Sequence, residues 1–367
     1  MSKENSRITY SSYLALDELL SAQRPISSNW ENPAHDEMLF IVVHQVYELW
    51  FKLIVNELDS VLAMLRLDHI DEKNIGVAVS RVERIIEIQK ILIDQIRVLE
   101  TMTPLDFLDF RAEFGTASGF QSVQFRIFEN KLGLSREGRF LYGNRPYDSD
   151  FNEKQREAVK QSESELSLFS GVQNWLERTP FIKLDSFNFI DQYKAAVDRI
   201  LDRDRQKVNN NSSLSPEAKD LALKGIASSE DHFQAIFSRE KHSKLREAGH
   251  LRFSYEATIS ALFINLYRDQ PILHLPYKFL HSLISLDENL TLWRYNHAVM
   301  VMRMLGSKIG SGGSSGYDYL KMTVEKHKIF GDLFNLSTLY IPRSELPSLP
   351  KDFEKNLGFY FSFRSEN

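Results

Sequence analysis

The sequence predicts an all-α fold. Three observations carry that reading. Glycine and proline are sparse, 16 and 11 among 367 residues. Apolar residues recur at three- and four-residue spacing over long stretches, and strand-type alternation is scarce. At 43% hydrophobic residues the chain can fill a sizeable core. A single domain over residues 1–367 is expected, with a more polar helical excursion at about 142–249. No internal repeat or low-complexity tract interrupts it.

In chain order, Tyr13 to Gln23 predicts a short helix, followed by the irregular "RPISSNWENPAH". A long apolar-rich helix is expected from His35 to about Leu67. Another runs from about Lys73 to Met102, with Ile and Val at helical spacing. "TPLDFLDFRAEF" opens with a Thr-Pro start and predicts a short helix. "GTASGFQSVQFRIFENKLG" is a small-residue turn leading into a further helix. In the polar excursion, "NNNSSLSP" marks an exposed loop, and its Ser215-Pro216 pair should open a helix. From Leu251 the pattern is apolar again up to "LFNLSTLYIPRSELP".

Composition removes several function classes. A net charge of −5 with dispersed basic residues gives no electrostatic reason to expect nucleic acid or an anionic membrane as partner. The chain has no cysteine, which excludes disulfides, iron–sulfur clusters, thiolate zinc sites and thiolate-ligated haem. The N-terminus is polar, and no run of eighteen uninterrupted apolar residues occurs. The expectation is a soluble intracellular protein, with neither nucleic acid nor membrane as partner.

Two histidines stand out. In "LFIVVHQVYELWFKLIV", Phe40, His44, Tyr47 and Phe51 share one helical face, so His44 sits within an aromatic stripe. The plainer reading is a core histidine bonded to a backbone carbonyl. In "LTLWRYNHAVMVMRMLGSK", Trp293, His297, Met300 or Val301, and Met304 share another face. Such stripes are usually core. A neutral imidazole in apolar surroundings is also what a haem-ligating helix needs, which makes His297 the first candidate for ligand. The remaining eight histidines, His242 among them, sit mostly beside charged residues and read as solvated. His44 and Glu48 have i, i+4 geometry for iron or zinc. No third ligand accompanies them, and catalytic zinc uses three.

After that helix comes "GSKIGSGGSSG", residues Gly306 to Gly316. Glycine-rich loops often cradle phosphate, but the phosphate loop needs a Lys-Ser/Thr pair after its last glycine, and Tyr317 stands there. The dinucleotide pattern needs a preceding strand, where a helix is expected.

Several long segments, in order, resemble the tryptophan 2,3-dioxygenase family: "YSSYLALDELLSAQ", "HDEMLFIVVHQVYELWFKLIVNELDS", "TPLDFLDFRAEFGTASGFQSVQFR", "WLERTPF", "WRYNHAVMVMRMLGSKIGSGGSSGYDYL" and "DLFNLSTLYIPR". The resemblance spans nearly the whole chain. It implies a helical haem dioxygenase fold, haem b (ferrous when active) as cofactor, and L-tryptophan and O2 as substrates. It further implies cleavage of the indole C2–C3 bond to N-formyl-L-kynurenine, in a cytoplasmic homotetramer whose N-terminal segments reach into neighbouring sites.

Carried over by position, His297 matches the axial haem ligand. His44 matches the distal histidine facing the indole N–H. Phe40 packs on the indole, with Ile41, Val42 and Val43 carried along as substrate-side positions of the same motif. Arg111 matches the arginine that holds the substrate carboxylate, and Phe107 lines the same pocket. Tyr10 and Tyr13 match tyrosines completing an adjacent subunit's site. Ser311 stands where the family usually has threonine, whose hydroxyl meets the substrate ammonium, so the glycine loop is expected to be a lid.

Three positions depart from the family pattern. Ser311 lacks the threonine methyl, Val43 replaces a common threonine, and Asp318 replaces the histidine of "GYHYL". The rival expectations are a family member that oxygenates another indole or aromatic amino acid, and a non-enzymatic haem-binding sensor. Arg111 outside the motif would read as an ion-pair partner of a residue such as Asp109.

Overall fold

The structure, a computed structural model, describes residues 8–115, 117–140, 146–180, 182–184, 187–306 and 316–350, with Glu354 and Leu357. Among these the regular structure is almost all helix. The exception is a two-residue antiparallel ladder, β1 (Lys183–Leu184) with β2 (Phe187–Asn188). The predicted all-α class holds.

The N-terminal segment forms two short helices, α1 (Tyr10–Leu14) and α2 (Leu16–Leu20), where one was expected. Thr9 and Ser12 form a reciprocal cap that starts the first helix early. Ala15 then takes a left-handed φ of 50° that breaks the run. Both helices are exposed.

Next come α3 (Asp36–Leu65) and α4 (Glu72–Leu99), close to their expected bounds. By length and mean hydropathy α3 is apolar enough to cross a bilayer. Here it packs on α4, α6 (Val123–Leu132) and α8 (Leu168–Glu177). Between α4 and α6, α5 (Pro104–Arg111) begins as its sequence demands. Thr103 and Asp106 cap each other's backbone N–H, and Pro104 takes a position where no N–H is needed. Gly133 ends α6 at φ 112°; a Cβ there would lie 2.6 Å from the Cβ of Phe169.

The polar stretch contains α7 (Glu153–Ser164), α9 (Phe189–Asn210), α10 (Pro216–Phe237) and α11 (Arg239–Glu247). Ser215 caps α10 and Pro216 opens it, as expected. Phe189, Tyr193 and Phe233 are buried in the same apolar cluster as the α3 and α4 core, and the Tyr193 hydroxyl donates to the carbonyl of Leu339. Helix α12 (Tyr255–Leu266) is buried on all sides from Ala257 to Ile264. The long α13 (Pro271–Leu305) lies along α4 and also packs on α14 (Gly316–Lys326); α15 (Gly331–Asn335) follows.

One expectation needs correcting. Six of the eight remaining histidines are exposed, but His242 and His327 are each only 1% exposed. His242 turns inward from α11, 3.1 Å from the Thr258 hydroxyl and edge-on to the Tyr255 ring. Lys241 and Lys244 stay exposed on other sides of that helix, a division that residue-by-residue proximity in sequence hides.

Candidate cofactor and substrate site

A cavity of about 830 Å³ opens between α3, α5, α6, α13 and α14. That is near the upper end for small-molecule sites. Phe40, His44, Phe107, Arg111 and His297 all line it, so the structure brings together residues from three helices up to 257 positions apart.

His44 is on α3, one turn after Phe40. Its Nδ1 donates to the Phe40 carbonyl oxygen at 2.7 Å. A carbonyl only accepts, so the proton is on Nδ1 and Nε2 keeps its lone pair. Burial holds the His44 pKa below its usual value, favouring this neutral form. The Phe40 ring lies 4.0 Å from the imidazole, 5.7 Å from Phe107 and 5.1 Å from Phe114. Rings at these spacings pack on one another and form one aromatic wall of the cavity, against which a planar, apolar ring can lie.

Arg111 closes this aromatic end. Its guanidinium sits 5.8 Å from the Phe107 ring centroid and makes no ion pair among the described residues, with Asp109 or any other. A guanidinium held over an aromatic face, with its donors uncommitted, suits a carboxylate. The local framework is firm. The buried Glu37 carboxylate accepts from the backbone N–H groups of Ile26 and Ser27, both at 2.8 Å. This ties the segment bearing Trp30 and Ala34 against Phe110, Met102 and Met304.

His297 faces the cavity from α13. It stacks on Trp293, one turn earlier, at 5.3 Å between ring centroids, and Trp293 packs on Phe125 and Phe51. Burial, with His44 adding repulsion, pulls the His297 pKa down to about 4. The imidazole is therefore neutral near pH 7 and makes no hydrogen bond among the described residues. A neutral imidazole with a free lone pair, walled by Trp293, Met300 and Val301, fits the axial ligand of a large apolar macrocycle. On donor chemistry and room, the residues present fit haem.

Other expected positions fall elsewhere. At 100° per residue, the three residues between Phe40 and His44 turn away from the cavity. Val42 is exposed, Val43 is buried in the core with its carbonyl accepting from Gln95, and Ile41 is half-buried. Tyr10 and Tyr13 are each 78% exposed and do not line this chain's own cavity. Ser311 lies outside the described residues. Glu48, one turn beyond His44, lines the cavity beside the Ser122 hydroxyl, and burial raises its carboxyl above the usual range.

The sequence reading missed the other end of the cavity, where Arg126, Glu129, Arg294 and His327 contribute to the lining. A signal existed for the first two. Arg126 and Glu129 are charges three apart within an apolar helix, and both prove buried and paired at 3.0 Å. His327, in "VEKHKIF", carried none.

Comparison with known proteins places the chain in a family. A family profile described as "Tryptophan 2,3-dioxygenase" matches residues 1–340. The chain is 48% identical to the tryptophan 2,3-dioxygenase of Bdellovibrio bacteriovorus, over 96% of this chain and 99% of that one. It is 47% identical to that of Dictyostelium discoideum, over 97% and 89%, and 43% identical to that of Alteromonas mediterranea, over 98% and 99%. Matches of this length and identity, on an almost wholly helical fold, establish that the chain belongs to the tryptophan 2,3-dioxygenase family.

Proposed function

We propose that this chain is a haem-dependent dioxygenase that uses O2 to cleave the indole C2–C3 bond of L-tryptophan, giving N-formyl-L-kynurenine with both oxygen atoms retained. The observation that carries the reading is the pairing of two dissimilar histidines in one cavity. His44 has Nδ1 committed to Phe40 and Nε2 free. His297 is neutral, half-buried and uncommitted among the described residues.

His297 would hold haem b through its iron, and the group would supply the oxygen-activating chemistry when bound. The chain's own residues do the rest. His44 Nε2 accepts the indole N–H and sets the ring's orientation. Phe40 packs on the indole, and Phe107 lines the same pocket and helps exclude water. Arg111 holds the carboxylate, and Ser311 on the glycine loop meets the ammonium. Tyr10 and Tyr13, both projecting from the exposed α1, complete a neighbouring subunit's site.

The assembly we infer is a cytoplasmic homotetramer of single-domain chains. In support, Leu292, Tyr295, Val299 and Met302 form an exposed apolar stripe at helical spacing on α13. The shared core of α3, α4 and α9 supports one domain. Incubating ferrous, haem-loaded protein with tryptophan and ¹⁸O₂ tests the reaction. The expected product is ring-opened and carries two labelled oxygens. A singly labelled product with an intact ring would make this a monooxygenase instead, and binding without turnover would make it a sensor.

A further inference from the structure

The N-terminal arm formed by α1 and α2 buries no residue of its own, and each helix is five residues long. Helices this short do not hold a direction by themselves. Among the described residues, the hydrogen bonds that join residues 8–33 to α3 run through two of its side chains. Glu37 takes the backbone N–H groups of Ile26 and Ser27, as described above. The other is Gln45.

Gln45 is committed at both ends. Its Nε2 donates to the carbonyl oxygen of Ala22 at 3.2 Å, and its Oε1 accepts from Gln23 Nε2 at 2.6 Å. Gln23 Nε2 also donates to the carbonyl oxygen of Leu19, in the last turn of α2, at 3.1 Å. A backbone carbonyl only accepts, so these contacts decide which end of each amide is nitrogen, and the two assignments agree. The result is a clasp between α3 and the C-terminal end of α2. Between the clasp and α1 stand only α2 and the left-handed Ala15. Tyr10 and Tyr13 follow, three residues apart on one face of α1 and exposed.

Gln45 comes directly after His44. Successive helical residues point about 100° apart. One turn of α3 therefore presents His44 to the chain's own cavity and Gln45 to the arm. A clasp that served the fold would hold down buried apolar surface, and the helices it holds bury no residue.

We propose that Gln45 is a positioning residue for the neighbouring subunit's substrate site: it clasps α2 so that α1 carries Tyr10 and Tyr13 to that site. The proposal rests on the exchanged-segment reading above. Without the clasp the arm samples other directions, and the cost of ordering it on the neighbour opposes substrate binding.

The test measures tryptophan affinity in full-length, haem-loaded protein from the change in haem absorbance. Gln45→Leu removes both ends of the clasp and is expected to weaken binding about fivefold, with haem content and thermal stability unchanged. Gln23→Leu breaks the clasp from the other side and should do the same. Tyr10→Ala with Tyr13→Ala removes what the arm delivers, so adding Gln45→Leu to that pair should cost less than about twofold. Independent costs in this cycle, or wild-type affinity in both glutamine variants, overturn the proposal. Tagged Gln45→Leu subunits, assembled with an excess of His297→Ala subunits and purified by the tag, then locate the effect. The His297→Ala subunits supply intact arms and little haem, so the Gln45→Leu cavities should regain wild-type affinity. Binding that stays weak there means that Gln45 acts on its own His44, and the proposal is overturned. Wild-type affinity in the double tyrosine variant would defeat the exchanged-segment reading itself.

Discussion

His44 donates its Nδ1–H to the carbonyl oxygen of Phe40, one turn earlier on the same helix, at 2.7 Å. This one bond decides which nitrogen faces the cavity and what it can do there: Nε2 accepts. His297 has no such commitment and faces the same cavity from α13. The two imidazoles differ in hydrogen-bonding state because their local partners differ.

Replacing His44 by Ala removes the acceptor and leaves the anchor on α13 in place. Haem content should stay near wild type while tryptophan binds roughly tenfold more weakly, about 1.4 kcal/mol for one hydrogen bond. 1-Methyltryptophan has no indole N–H, so its affinity should change little. Protein purified without haem from His44→Ala would exchange the roles of the two histidines.

The pH dependence follows from the same bond. Burial lowers the His44 pKa from 6.5, so the neutral, accepting form persists as pH falls through that value. Tryptophan affinity should be flat from pH 8 to about 6.5 and decline only at lower pH, as the imidazole gains its proton. Titrating affinity against pH checks this; an imidazole inflection at or above 6.5 would show that His44 is not buried in the working enzyme.

His297→Ala should yield protein with little haem or an unstable haem site, since no cysteine can substitute. Soret absorbance per chain measures it. Normal haem content with an unchanged axial-imidazole spectrum would remove His297 from the role.

Ser311→Ala deletes the hydroxyl assigned to the substrate ammonium. The loss should be roughly 1.5–3 kcal/mol, a ten- to hundredfold effect on tryptophan affinity, as for a hydrogen bond to a charged group. Indole-3-propionate lacks the amino group and should be affected much less, while Ser311→Thr should be tolerated. An unchanged tryptophan-to-indolepropionate ratio in Ser311→Ala would mean that the loop does not read the ammonium.

Gly133 tests the frame behind the site. Its φ is 112°, and a methyl group on its Cα would come within 2.6 Å of the Phe169 Cβ, which leaves no room for a side chain. Gly133→Ala should destabilise the protein by about 2 kcal/mol or more, from backbone strain and overpacking. Denaturant midpoints against wild type give the value, and a change within about 0.5 kcal/mol, the usual range for a neutral surface substitution, would contradict it.

Much of this protein was readable in one dimension. The helices around Phe40–His44 and Trp293–His297 follow from local periodicity, which packing preserves because each already presents one apolar face. The caps at Thr103 and Ser215 are local hydrogen-bonding choices, legible for the same reason. The assignment of Phe40, His44, Phe107, Arg111 and His297 to one site followed from the family resemblance, and the cavity lining brings all five together. Tertiary structure decided what depends on neighbours far along the chain. Val43 and Val42 sit beside His44 in sequence, yet rotation about the helix axis sends one into the core and the other to the surface. His242 and His327 lie among charges in sequence and are buried, because α12 covers one and the Glu129 cluster surrounds the other. That cluster joins α6, α13 and the segment after α14, across up to 198 positions. Its pairings exist only where distant side chains share one desolvated volume, a property that no local pattern encodes.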